Sequence, residues 1–556
     1  MPLIFMTTPP QPPLPTQRAS LFARLRADTP YDIAIIGGGA TGLGVAVDAA
    51  ARGFSVALFE SHDFAKGTSS RATKLVHGGV RYLAQGNISL VREALHERTT
   101  LLANAPHLAQ PLAFVMPSYA WWQTPFYGIG LKLYDLLAGR AGLGATEFLS
   151  KAKTLRLLPT AKPEGLSGGV KYWDGQFDDA RLALALAKTA ASHGALLINY
   201  CAATQLLYEG DKVSGLQVQD NETGRQYCIQ AHCVINAAGV WVDQFRQQDG
   251  DAMQRPVKAM VAPSQGVHLV VDKSFFPGDH ALLVPKTQDG RVLFAVPWLG
   301  KVILGTTDTP RNDLAREPVP FAQEIEFILR EAAQYLTRAP QRSDVLSVWV
   351  GLRPLVKPQG DDASNTQALS REHTILVSKS GLVTVTGGKW TTYRAMAEDV
   401  LQRAFDARLL SARAGGITAD WPLVGTPVRG AASANVSAPS GLHTTPAPHA
   451  RISAPWGLHL YGSEAQSVQA LPGAGIALDD TDSGGLTQAM VLYAARYEYA
   501  RTVEDVLARR ARLLFLDARL ASRLAPKVAS LLQQETGVDP QLATFMALAA
   551  QYLHLP

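Results

Sequence analysis

Residues 67 to 83, GTSSRATKLVHGGVRYL, crowd hydrogen-bonding groups into a stretch with little bulk. The successive hydroxyls of Thr68, Ser69 and Ser70 and the amine of Lys74 suit the wall of a long polar cofactor that reaches inward. His77 adds a side chain whose unperturbed pKa of about 6.5 fits proton transfer near neutrality. Gly78 and Gly79, directly after it, let backbone and ligand approach closely. The chemistry to expect is a proton transfer beside a large bound group.

Such groups need a scaffold, and it begins upstream with YDIAIIGGGATGLGVAVDAAARGFSVALFE, residues 31 to 60. An apolar strand, a glycine turn, an alanine-rich helix ended by Gly53 and a second strand make a βαβ opening. Gly37, Gly39 and Gly42, with Ala40 and Thr41 between them, form GxGxxG, which permits a tight turn, close approach to a pyrophosphate and helix packing on the sheet. Glu60 closes the second strand, where a carboxylate suits a ribose hydroxyl and repels a 2′-phosphate. NAD and FAD share that half. The hydroxyl-rich stretch that follows fits a buried flavin better than a mobile nicotinamide. AGLGATE and GAGIAL lack the third glycine and the strand context of a second fingerprint, which disfavours a reductase with two nucleotide sites.

Two later segments belong with this scaffold. CVINAAGVWVD, residues 233 to 243, runs from a strand into small residues, among them Gly239, where backbone can pack on a cofactor beneath Trp241. VTVTGGKWTTYR, residues 383 to 394, runs from strand through Gly387 and Gly388 into a helix, so its amides can face the edge of an isoalloxazine. GVHLVV, RVLFAV and KVILGT alternate as strands of an antiparallel sheet that would roof the flavin.

The chain as a whole sets limits. Its 556 residues, 47% hydrophobic, suffice for two or three packed domains. A net charge of +5 without a long basic run gives no case for nucleic acid. Cys201, Cys228 and Cys233 form no CxxC and lie in strand-like contexts that suit small buried hydrophobes, which points to a reducing, cytoplasmic setting. The proline-rich start has no signal-peptide pattern and reads as a disordered tail over residues 1–29. No apolar run reaches the roughly 18 residues of a membrane span, so membrane contact would be peripheral. No metal site is expected. Histidines and cysteines show no ligand spacing, and DDTDSGG, residues 479 to 485, has Val491 where a calcium loop needs an acid. No GxSxG elbow is present.

The opening fingerprint, GTSSRATKLVHGGVRYL, CVINAAGVWVD, LFAVPWLGKVILGTTDTP, VWVGLRPL and VTGGKWTTYR occur in the order seen in FAD-dependent glycerol-3-phosphate dehydrogenases, which the chain resembles from residue 31 to about 400. LHLYGSEAQSVQAL and RYEYARTVEDVLARRARLLFLD resemble that family's C-terminal helical domain. The resemblance implies an α/β plus α fold. A Rossmann-like FAD-binding domain would interleave with an antiparallel-sheet substrate domain over residues 30–425, then a linker-like segment over 426–450 and the helical domain over 451–556. It implies oxidation of sn-glycerol 3-phosphate to dihydroxyacetone phosphate with FAD as hydride acceptor and a membrane quinone as the final one. An oxidase using oxygen, another amino-acid-oxidase-like flavoenzyme and a flavin-bearing scaffold are the alternatives.

A phosphate monoester is held best by converging guanidinium and ammonium groups. The resemblance supplies Arg81, Tyr82, Arg353, Arg371 and Lys389 for the substrate. His77, Lys389 and Arg353 are the candidates at the reacting end, and the identity of the base stays open between them. A peripheral place on the cytoplasmic side of an inner membrane follows from the same resemblance, and a homodimer is compatible with it. AWWQTPFYGIGLKLYDLLAG, residues 120 to 139, suits either an interfacial helix or a buried one. Arg509, Arg510 and Arg512 in ARRARLLF suit either anionic lipid or an ordinary charged helix face.

Overall fold

The strand Tyr31–Ile36 is apolar at nearly every position because both of its faces are covered. In the computed structural model, which describes residues 13–25, 29–79, 87–285, 287, 292–357, 372–427, 451–479 and 485–556, it lies at the centre of a parallel sheet. Gln226–Asn236 and then Val383–Gly387 flank it on one side, Val56–Phe59 and then Leu196–Ile198 on the other. Ile33 aligns with both Cys233 and Val56. The helix Ala40–Ala51 packs close to this sheet because Gly42 has no Cβ to run into the Gly37 carbonyl, and Gly44 accepts Tyr393. All the parallel strands therefore end at one edge, at Gly37, Glu60, Ala237 and Gly388. Ligands of open parallel sheets bind at such an edge.

A second, mostly antiparallel sheet stands beside it. Val261–Asp272 pairs with Val345–Val356 and with Lys301–Gly305, and the sheet continues through Leu293–Trp298, Ala281–Val284 and Ala109–Ser118 to Gly168–Phe177. The short strand Leu75–Val76 pairs with the last of these and delivers His77 at its end. GVHLVV falls in Val261–Asp272, as the alternation predicts.

The C-terminal region is helical, with Gln488–Tyr497, a π-helical turn at Asp505–Arg510, Leu513–Leu516, Ala518–Thr536 and Leu542–Leu553. Arg509, Arg510 and Arg512 face neither lipid nor solvent. They are buried in the joint with the first domain. Arg509 and Arg510 both pair with Asp63, and Arg509 also reaches Glu504 at 2.6 Å and Asp505 at 2.7 Å. Arg512 pairs with Asp179 at 2.8 Å and donates to the Ser70 carbonyl.

Two further expectations are corrected, and the reading left open for residues 120 to 139 is narrowed. The helix Arg18–Ala23 lies inside the stretch expected to be a disordered tail, yet Arg18 docks on Asp220 and on the carbonyls of Asn199 and Tyr200. Cys201 and Cys233 are buried, but Cys228 is exposed. The helix Gln123–Ala138 is neither wholly core nor wholly surface: it buries Gly128, Leu131 and Tyr134 while exposing Phe126, Ile129, Leu133 and Leu136. Most of the linker-like segment, residues 428–450, and most of DDTDSGG lie outside the described residues.

Candidate active site

The edge where the parallel strands end opens into a cavity of about 470 Å³. Gly37, Gly39, Ala40 and Thr41 form one wall, and Glu60, Thr68, Ser69 and Gly239 contribute others. Glu60 is oriented by its own backbone neighbours, since one oxygen accepts from the Gly38 amide at 2.7 Å and the other from the His62 amide at 2.9 Å. Ser69 Oγ accepts from the Ala40 amide at 2.9 Å, which fixes the hydroxyl at the helix start. Gly239 has a φ of 61°, and the space where a Cβ would project is open. A carboxylate for a ribose, a helix N-terminus for a pyrophosphate and a long glycine-lined trough fit FAD.

Two of the expected lining residues do other work. Ser70 is buried behind the wall, and its carbonyl receives Lys74 and Arg512. Lys74 does not face the cofactor cavity. Its amine pairs with Asp179 at 2.6 Å and lies 4.6 Å from the Trp349 ring centre. Burial pushes that amine down to about 7 in spite of Asp179. Gly42 acts through packing alone.

A second cavity of about 300 Å³ shares Thr68, Gly387, Gly388, Lys389 and Trp390 with the first. Gly387 and Gly388 turn at φ of 82° and 73°, a region that favours glycine, and so pass the chain between the two spaces. His77 lines the second cavity, and its amide donates to Thr391 Oγ1 at 3.2 Å. Gly78 serves packing rather than substrate approach, because Leu95 and Tyr134 occupy the space beside its Cα.

Arg353 enters the same cavity from Val345–Val356. Its guanidinium donates to the Thr307 carbonyl at 2.9 Å and to Asp308 at 3.2 Å, so its direction is set before any ligand arrives. Arg81, Tyr82 and Arg371 lie outside the described residues.

His268 is a lining residue that the sequence reading passed over. It is buried, stacks on Trp349 with ring centres 4.0 Å apart and shares a hydrogen bond of 2.9 Å between Nε2 and Thr73 Oγ1. Burial, then the charges of Arg353 and Lys74, press its pKa well below the ordinary histidine value. It is therefore neutral at physiological pH, which leaves one ring nitrogen without a proton. Its one sequence signal is a polar residue at a core-facing position of GVHLVV.

Residues 32–394 match the family described as FAD dependent oxidoreductase, and residues 417–543 match the C-terminal domain of alpha-glycerophosphate oxidase. The human mitochondrial glycerol-3-phosphate dehydrogenase is 40% identical over 548 residues, covering 94% of this chain and 73% of that protein. The mitochondrial protein of the same name from Schizosaccharomyces pombe is 38% identical over 97% of this chain and 89% of its own. Among solved structures, the glycerol-3-phosphate dehydrogenase from Bacillus halodurans complexed with FAD superposes with a TM-score of 0.73 at 28% identity, covering 97% of this chain and 98% of that one.

Proposed function

The chain belongs to the FAD-dependent glycerol-3-phosphate dehydrogenases, and from that premise we propose that it oxidises the C2 hydroxyl of sn-glycerol 3-phosphate to the ketone of dihydroxyacetone phosphate and delivers the electrons to a membrane quinone. The observation that carries this reading is the shared wall at Gly387–Trp390, which sets a cavity holding an oriented arginine and two histidines against the cofactor trough.

Bound FAD supplies the hydride acceptor. Arg353 grips the phosphate end, where its fixed fork suits bidentate hydrogen bonds. At the alcohol end His268 accepts the hydroxyl proton, while Lys389 and His77 steady the oxygen as negative charge develops on it. The close backbone turn at Gly387 and Gly388 lets the reacting carbon approach the cofactor cavity.

Arg353→Ala should lower kcat/KM for glycerol 3-phosphate about ten- to hundredfold, since charge-assisted hydrogen bonds typically contribute about 1.5–3 kcal/mol each. Turnover of glycerol, which has no phosphate, should barely change. Steady-state kinetics on the two alcohols checks this; a variant that keeps its full preference for the phosphate ester would place the phosphate elsewhere.

The exposed face of Gln123–Ala138 supports a lipid contact. Trp121 is 83% exposed and Leu136 76%, and with Phe126 and Ile129 they form a contiguous apolar strip of a kind uncommon on a freely soluble surface. Among the described residues no helix is long and apolar enough to cross a membrane, so contact of this kind would be peripheral. Changing Phe126, Ile129 and Leu136 together to Ser should abolish co-sedimentation with phosphatidylethanolamine–phosphatidylglycerol vesicles and leave flavin reduction by substrate intact. Unchanged sedimentation would remove this face from the membrane reading. Hydrogen peroxide yield during aerobic turnover separates quinone from oxygen as acceptor.

A further inference from the structure

Beside the cofactor cavity runs a strap, residues 309–319, that leaves the antiparallel sheet where Pro310 pairs with Ser264. It is tied down on both sides. Arg311 donates to the Gln265 side chain at 2.7 Å and to Asp313 at 2.6 Å, and the Leu314 carbonyl accepts from Trp241 Nε1 at 3.1 Å. Farther on, Glu317 receives Arg71 at 2.7 Å, and the Glu317 carbonyl accepts from Gln551 at 3.3 Å. Only Arg316, between these anchors, turns its guanidinium into the cofactor cavity.

We infer that Arg316 is a cofactor-binding residue that the substrate sheet lends to the dinucleotide site, where it holds the pyrophosphate. Its guanidinium rests 3.8 Å from the centre of the Trp241 ring. That ring presses on Gly67, whose Cβ, if present, would sit 3.2 Å from it. Gly67 opens the turn carrying Ser69, and Ser69 in turn accepts from Ala40 at the helix start. Arg316 thus lies across one indole from the place where the fingerprint puts a pyrophosphate, with the Glu60 carboxylate lining the same cavity near enough for its field to act on the guanidinium.

The charge balance points the same way. Among the described residues Arg316 makes no ion pair, whereas nearby Lys66 is held by Glu504 at 2.7 Å. Arg316 is exposed to solvent, and desolvation lowers its pKa against the field of Glu60, so an anion arriving in the cavity meets a cation that has no ion-pair partner among the described residues. A guanidinium stacked on an aromatic face with its edge free is also the geometry that suits bidentate phosphate binding.

This rests on the reading that FAD occupies the cavity, and the test separates the two. Apoprotein stripped of flavin is titrated with FAD and with ADP, which carries the pyrophosphate without the flavin, for wild type, Arg316→Met and Arg316→Lys. Arg316→Met keeps the stem on Trp241 and should raise both dissociation constants about ten- to hundredfold, with Arg316→Lys recovering part of the loss. An Arg316→Met apoprotein that binds ADP as tightly as wild type overturns the assignment, whatever happens to FAD. Wild-type apoprotein that takes up neither ligand would sink the reading of the cavity itself.

Discussion

His268→Asn should leave flavin bound and slow its anaerobic reduction by glycerol 3-phosphate roughly 100- to 10,000-fold, the usual contribution of a positioned general base. Asparagine keeps a polar amide at the inner edge of the ring position beside Trp349 and gives up the Nε2 contact to Thr73, so the change removes proton acceptance together with that one hydrogen bond. Substrate affinity, read from the concentration dependence of the reduction rate, should shift only a few-fold. Because burial, Arg353 and Lys74 keep His268 neutral, the wild-type rate should show no step attributable to this residue as pH falls through the ordinary histidine range near about 6.5. If His268→Asn reduces its flavin at the wild-type rate while His77→Asn does not, the proton goes to His77.

Arg510→Met should cost about 3–5 kcal/mol of stability, the typical penalty for removing one partner from a buried ion-pair network. Asp63 is wholly buried, and Arg510 reaches both of its oxygens while Arg509 meets one. Burial raises the Asp63 pKa, but Arg510 and Arg509 outweigh it and hold the carboxyl below its usual range. That contribution is therefore complete above the unfolded value of about 3.9 and is lost as pH falls through the lower folded value. The damage should also reach the cofactor, because Asp63 sits on the turn between Glu60 and Thr68, and apoprotein should accumulate at FAD concentrations that saturate wild type. Adding Asp63→Asn to Arg510→Met should restore part of the stability. A urea midpoint for Arg510→Met within error of wild type would show that Arg509 alone suffices to hold the buried carboxylate.

What could be read from the sequence was local. The βαβ fingerprint, the glycine turns at Gly239 and Gly387 and the alternation of GVHLVV each occupy one short window, and strand, turn and helix form where those windows place them. What could not be read depended on distant partners. Lys74 looks like a cofactor ligand until Trp298, Trp349 and Phe515 close around it. Arg509 and Arg510 look like a basic surface until Asp63, more than 440 residues earlier, meets them. The helix Gln123–Ala138 is apolar on both faces, so periodicity could not tell which face would be covered. His268 was hidden for the opposite reason, as a single polar residue in a strand pattern that reads as core.

Anaerobic mixing of the purified flavoprotein with glycerol 3-phosphate, glycerol or NADH tests the central claim most directly, with flavin absorbance as the readout. Glycerol 3-phosphate alone should bleach the flavin at low concentration, with dihydroxyacetone phosphate formed in equal amount, while NADH has no effect and glycerol acts only weakly. Bleaching by NADH, or by glycerol as readily as by its phosphate ester, would contradict the assignment of this chain as a glycerol-3-phosphate dehydrogenase.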